Sequence, residues 1–233
     1  MAQEEGLHKD AFWLYGVIVG LAIREGLTTF VPHIFTTTWN HAWAYFSEGF
    51  RLLVFLIVIV RFYLGSAKFF NDFYIAPGAD ARFKHKNFTV DFLFGFVHFL
   101  VFFAWAASID KFGGKAVYLY PGLLTFILLY DIFWFAWSTF KKYHTRRVIG
   151  LWAILNFGTF LLSCCTFLVL KFIFEVKPTA AEQGACVWVL FVSFLDISQV
   201  ITRRRIFAEW INDIINDDVA PADDTPANPA TRR

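Results

Sequence analysis

The side chains best suited to chemistry in this chain stand inside its most apolar stretches. Arg24 and Glu25 are adjacent within AFWLYGVIVGLAIREGLTTFVPHIF, and Arg61, Asp91, His98, Asp131 and Asp196 interrupt four other runs rich in Phe, Leu, Val and Ile. At the centre of a membrane-spanning helix an ionisable group costs about 2.5–3.5 kcal/mol, so it turns to a partner or to water. Such groups mark either a proton or ion path or interhelical pairs that hold a bundle together, and sequence alone leaves both readings open. Counted at ~1.5 Å per residue, Arg61, Asp131 and Asp196 fall in the middle-to-cytoplasmic third of their runs, with Asp91 near the cytoplasmic mouth. Arg61, Asp91, His98, Asp131 and Asp196 are therefore the candidate buried charge network. Asp91 and His98, seven apart, share a helical face, and Ser193 and Gln199 flank Asp196.

A second constellation carries no charge. Asn156, Thr159, Ser163 and Thr166 are spaced three, four and three, which predicts one polar stripe ~15 Å long on a helix otherwise built of Phe and Leu. Small polar residues in a stripe either line a pore or let helices approach and hydrogen-bond. Gly16, Gly20, Arg24 and Thr28 recur at intervals of four, and the Gly pair has the GxxxG spacing of close helix contact, so this face is expected to pack. Glu25 projects ~100° around the helix from Arg24, so the two are not each other's ion pair. Arg24, Glu25, Asn156, Thr159, Ser163 and Thr166 are the candidate pore or pathway residues.

Other chemistries lack their residues. Arg51, Arg61 and Lys68 are spaced ten and seven, whereas a voltage sensor repeats Arg at every third position. Of six histidines His98 alone is well inside an apolar run, with His33 toward an end, which does not make a haem ligand pair. CxxC, HExxH and GxSxG are absent, and the mid-run pair Cys164 and Cys165 is expected to be buried as small hydrophobes. The chain is expected to be no enzyme and to hold no metal or cofactor.

The elements that must position these residues follow from composition. The 233 residues are 58% hydrophobic and 17% charged, with 31 Phe and a mean hydropathy of +0.52, which describes a chain dissolved in lipid rather than one folded around a soluble core. Crossing a hydrocarbon layer of roughly 30 Å takes ~20 apolar residues in a helix. Six segments qualify, at about 11–35, 48–70, 89–109, 116–140, 148–174 and 184–202, giving an all-α bundle of six transmembrane helices over 11–202. Lys68, Arg82, Lys84 and Lys86, then Lys141, Lys142, Arg146 and Arg147, then Arg203, Arg204 and Arg205 fill alternate connections, and the intervening ones are poor in Lys and Arg. Basic residues accumulate on the cytoplasmic side, so both termini are expected there, in agreement with an even number of spans.

The acidic opening MAQEEGLHKD (1–10) argues for a retained first span rather than a cleaved signal, and no internal repeat is visible. After the last span, Ile206, Phe207, Trp210, Ile211, Ile214 and Ile215 share one helical face with Glu209, Asn212, Asp213 and Asn216 largely opposite. This predicts a short cytoplasmic amphipathic C-terminal helix at 203–218, lying on the bilayer surface or meeting its copies. Residues 219–233, rich in Pro, Ala and Asp, are expected to be a disordered tail.

One subunit offers only one or two polar faces, so a ring of copies is the simplest way to close a pore. The leading expectation is an oligomeric ion channel in the lipid bilayer, a homo-oligomer taken as a tetramer. It is gated from the cytoplasmic side by an anionic ligand such as a nucleotide, an oligonucleotide or a lipid headgroup. Arg82, Lys84, Lys86, Arg146, Arg147, Arg203, Arg204 and Arg205 are the anion-binding candidates, although orientation alone accounts for a basic rim. Short loops and the charge bias fit a bacterial inner membrane and a membrane effector, as in stress or anti-phage defence. Two alternatives accompany it: a small proton-coupled transporter working through intramembrane Asp or Glu, and a membrane assembly protein whose buried charges only specify helix pairing.

Overall fold

Apolar side chains on every side leave each segment one way to satisfy its backbone within lipid, as a helix. The computed structural model describes residues 2–36, 42–75, 81–109, 118–143 and 145–202, and among these it contains helices and turns and no strand. The helices are α1 (Ala2–Thr36), α2 (Ala42–Phe70, prolonged by a π-helical turn Asn71–Ile75), α3 (Ala81–Ala106), α4 (Leu119–Phe140), α5 (Arg146–Leu168, prolonged by a π-helical turn Val169–Ile173) and α6 (Pro178–Thr202). All six are long and apolar enough to cross a membrane, over Trp13–Val31, Phe46–Tyr74, Phe88–Ala106, Leu119–Phe140, Arg146–Ile173 and Pro178–Thr202. The expected helix at 203–218, the tail at 219–233, and the side chains of Arg82, Lys84 and Lys86 lie outside the described residues.

Several helices start ahead of the sequence reading, α2 at Ala42 and α3 at Ala81 among them, and for two the physical reason is plain. α1 starts at Ala2, so the polar segment 2–10 continues the helix of the span instead of forming a separate stretch. α6 starts six residues earlier than expected, at Pro178, whose fixed φ suits the first helical position. Its first turns contain Glu182, which hydropathy reads as connection but which is buried.

The helices pack in the cyclic order α1, α2, α6, α5, α4, α3, and α2 and α3 also meet each other. Lipid tails are as apolar as the core, so contact in a membrane is held by close packing and by polar pairs. Tyr15, Phe55, Phe69, Phe70, Phe99, Phe102, Trp105, Tyr120 and Trp134 fill the interior, with tilted and edge-to-face ring pairs such as Phe55 and Trp105 at 5.4 Å. Large hydrophobics such as Phe133, Ile154, Phe172 and Phe191 face outward, as a lipid-facing rim requires. Glycine permits the tightest crossing: a Cβ at Gly95 of α3 would stand 2.5 Å from the Tyr15 hydroxyl oxygen of α1.

Candidate functional site: polar layers within the bundle

The buried polar side chains collect at three levels of the bundle. At the end that carries the α5–α6 connection, α2 presents Arg51 to α6. Its Nε and Nη2 donate to the two oxygens of Glu182, each at 2.7 Å, and its guanidinium lies 4.9 Å from the Tyr120 ring. The Tyr120 hydroxyl donates to the Arg51 carbonyl at 2.8 Å, and Gln183 donates to Ser47 at 3.0 Å. Such a fork-to-fork pair suits burial because two charge-assisted bonds fix one geometry.

At mid-depth five of the six helices contribute. Arg61 of α2 donates from Nε to Asp196 of α6 at 2.8 Å. Asn156 of α5 donates to Asp131 of α4 at 2.6 Å, and His98 Nδ1 of α3 stands 3.7 Å from the other Asp131 oxygen. Arg61, His98, Asp131 and Asn156 are all buried, whereas the Asp196 side chain keeps 20% of its exposure. Phe62, Phe102 and Tyr130 surround the His98 ring, at 4.6, 5.5 and 5.0 Å. A cavity of about 20 Å³, bounded by Arg61, His98, Asp131, Asn156, Asp196 and the glycines Gly65 and Gly95 among others, lies between them. Nη1 of Arg61, Nε2 of His98 and Oδ1 of Asn156 have no partner among the described residues, and the room at their feet is that of one water molecule.

Toward the α4–α5 end the third level centres on Asp91. It is fully buried and accepts from the Tyr74 hydroxyl, from Trp134 Nε1 at 2.9 Å and from the Thr145 hydroxyl at 3.3 Å. No cation reaches it among the described residues. Three neutral donors from three elements make it a knot tying the ends of α2 and α4 to the start of α5.

The candidate charge network therefore divides. Arg61, His98, Asp131 and Asp196 come together around one cavity, and Asp91 belongs to a separate hydrogen-bonded knot below it. Of the five residues expected to form one network, Asp91 stands apart, because Tyr74, Trp134 and Thr145 take both of its oxygens.

The candidate pathway residues do not share a wall. Asn156 points into the mid-depth cluster. Thr159 donates to Leu155 O of its own helix at 2.7 Å, Ser163 donates to Ala185 O of α6 at 3.0 Å, and Thr166 accepts from Trp188 Nε1 at 2.7 Å. Three of the four stripe residues bond a neighbouring helix, Asn156 to α4 and Ser163 and Thr166 to α6, and Thr159 bonds its own. Arg24 and Glu25 lie on α1, across the ring from α5. The expected packing face also turns out differently: α1 buries Tyr15, Val19, Ala22 and Gly26, while Gly20, Arg24 and Thr28 are exposed and Gly20 has nothing near its Cβ position. Arg146 and Arg147 are exposed at the start of α5, while the side chains of Arg203, Arg204 and Arg205 lie outside the described residues. Cys186 is buried, but Cys164 is half-buried and Cys165 exposed, so the cysteine pair is not sealed in the core.

Sequence reading missed Glu182 as a membrane residue and gave Arg51 no partner. The available signal was a lone carboxylate close ahead of the last apolar run and a lone Arg early in the second. Comparison with protein-family models, with curated proteins and with solved structures gives no match for the chain.

Proposed function

We propose that the protein is a small proton-coupled membrane transporter in which Asp131 gains and loses a proton. The observation that carries this reading is the charge balance of the mid-depth cluster. Arg61 can neutralise one carboxylate, and it is already paired with Asp196. Among the described residues Asp131 has only an amide donor and an imidazole too distant for a hydrogen bond. With His98 neutral, the cluster keeps one uncompensated negative charge until a proton joins Asp131 or His98. Holding such a charge in a low-dielectric interior is expensive, and a proton is the smallest species that relieves it. The partly exposed Asp196 offers the route by which protons exchange with one side. We take both termini as cytoplasmic, from the basic connections, and the setting as a bacterial inner membrane.

The test is proton flux into liposomes holding the full chain and a trapped pH dye. Wild type is expected to take up protons along an imposed gradient, and Asp131→Asn to lose at least about tenfold, equivalent to about 1.4 kcal/mol, with folding unchanged. Equal flux from the two proteins would sink the reading.

A second reading, an oligomeric channel gated by a cytoplasmic anion, keeps one specific support. Arg24 is exposed near the middle of a span, beside Gly20 and Thr28, where contact with lipid alone would cost about 2.5–3.5 kcal/mol. A ring of copies meeting on this face of α1 would cover it or turn it to water.

A further inference from the structure

Between α4, α5 and α6 lies a cavity of about 460 Å³ that plays no part in the polar cluster. Exposed Tyr118, Gly122 and Leu168 frame its mouth, and buried Leu128 and Val189 form its floor. Of its polar wall groups, Ser163 donates to the Ala185 carbonyl and both Glu182 oxygens accept from Arg51, which leaves the hydroxyls of Thr125 and Thr179 and the thiols of Cys164 and Cys186 among mostly apolar side chains. Most of what faces the space is hydrocarbon. From Tyr118 to Leu128 is ten residues of helix, ~15 Å, or half of a hydrocarbon core of roughly 30 Å. The cavity thus runs from the level of the bilayer boundary to its midplane, which is the depth of one leaflet. The aromatic Tyr118 and the exposed Lys177, next to Pro178 of the wall, stand where a headgroup would lie.

We propose that this cavity is a binding site for one acyl chain of a phospholipid from the leaflet at the α5–α6 end. The chain lies along Leu124, Leu128 and Phe160, and the phosphate sits at the mouth within reach of Lys177. A bound chain also presses on the stem of Glu182, so occupancy bears on the ion pair that joins α6 to α2.

Two neighbouring cysteines provide the readout, since Cys164 lines the cavity and Cys165 is exposed outside it. The full chain is solubilised in detergent, stripped of lipid and treated with N-ethylmaleimide, and the two positions are quantified by mass spectrometry. Added dioleoylphosphatidylglycerol is expected to slow Cys164 about tenfold and leave Cys165 unchanged. A Cβ at Gly122 meets nothing within 4 Å, so Gly122→Phe fills the cavity without a backbone clash and is expected to abolish the protection. Gly158, which is equally open but does not line the cavity, serves as the control through Gly158→Phe, expected to keep it. Equal slowing of both cysteines, or protection that survives in a folded Gly122→Phe, would overturn the site. Protection by oleic acid and not by the phospholipid would overturn the assignment to a membrane lipid. Should Gly122→Phe fail to fold, the ratio of the two cysteines in the wild type decides alone.

Discussion

Arg51 and Glu182 illustrate how much a single polar contact can weigh inside an apolar bundle. Truncating one partner leaves the other charged and buried, which costs about 3–5 kcal/mol. Arg51→Ala is therefore expected to lower the thermal midpoint of the detergent-solubilised protein sharply, whereas Arg51→Met combined with Glu182→Leu stays close to wild type. If the double variant is as damaged as the single one, the pair has a role beyond packing. Gly95 makes the complementary steric case. Gly95→Ala forces Cβ into the Tyr15 hydroxyl and is expected to cost about 1–3 kcal/mol, with Tyr15→Phe recovering part of the loss; strict additivity in the double-mutant cycle would count against the contact. At this scale sequence reading was uneven. The mid-depth residues Arg61, His98, Asp131, Asn156 and Asp196 were all visible as polar anomalies in apolar runs. Which of them meet was not visible, because partners such as Trp134 and Tyr74 are as ordinary in a lipid-facing helix as in a hydrogen-bonded knot.

The membrane-length helices were legible because hydropathy integrates over the whole segment, and each of the six spans overlaps one of the six expected runs. The faces of those helices were harder to read. α1 packs through Tyr15, Val19, Ala22 and Gly26, and a helix apolar on nearly all sides gives no periodic signal to separate that face from the Gly20, Arg24 and Thr28 face. The exposed face makes its own prediction. With Cys164, Cys165 and Cys186 replaced, Gly20→Cys is expected to form disulfide-linked dimers on oxidation in membranes, and Val19→Cys, one residue away and buried, is expected not to. Cross-linking at Val19 and none at Gly20 would mean that α1 faces no second copy.

Across the molecule, α2 and α6 run parallel, and two ion pairs bridge them at separations of 131 and 135 residues in the chain. Arg51 and Arg61 are ten residues apart on α2, so ~15 Å separates the two levels. Val54, Phe55, Val58, Leu124, Ile127, Leu128 and Val189 occupy that interval and are all buried. Among the described residues α2, α4, α5 and α6 carry no charged side chain in that interval, and the hydroxyls of Thr159 and Ser163 within it donate to backbone carbonyls. A carrier that changes conformation tolerates such a slab, and an open pore through one subunit does not. Single subunits in a planar bilayer are accordingly expected to give no discrete conductance steps. Steps from a demonstrably monomeric protein would favour the channel instead.

Proton exchange at Asp131 is tested most directly by infrared difference spectroscopy of the reconstituted protein. A pH jump should produce a protonated-carboxyl band in the wild type that disappears in Asp131→Asn while the bands of other carboxyl groups persist. An identical difference spectrum from both proteins would show that the proton goes elsewhere, leaving the mid-depth cluster as a fixture that only holds helices together.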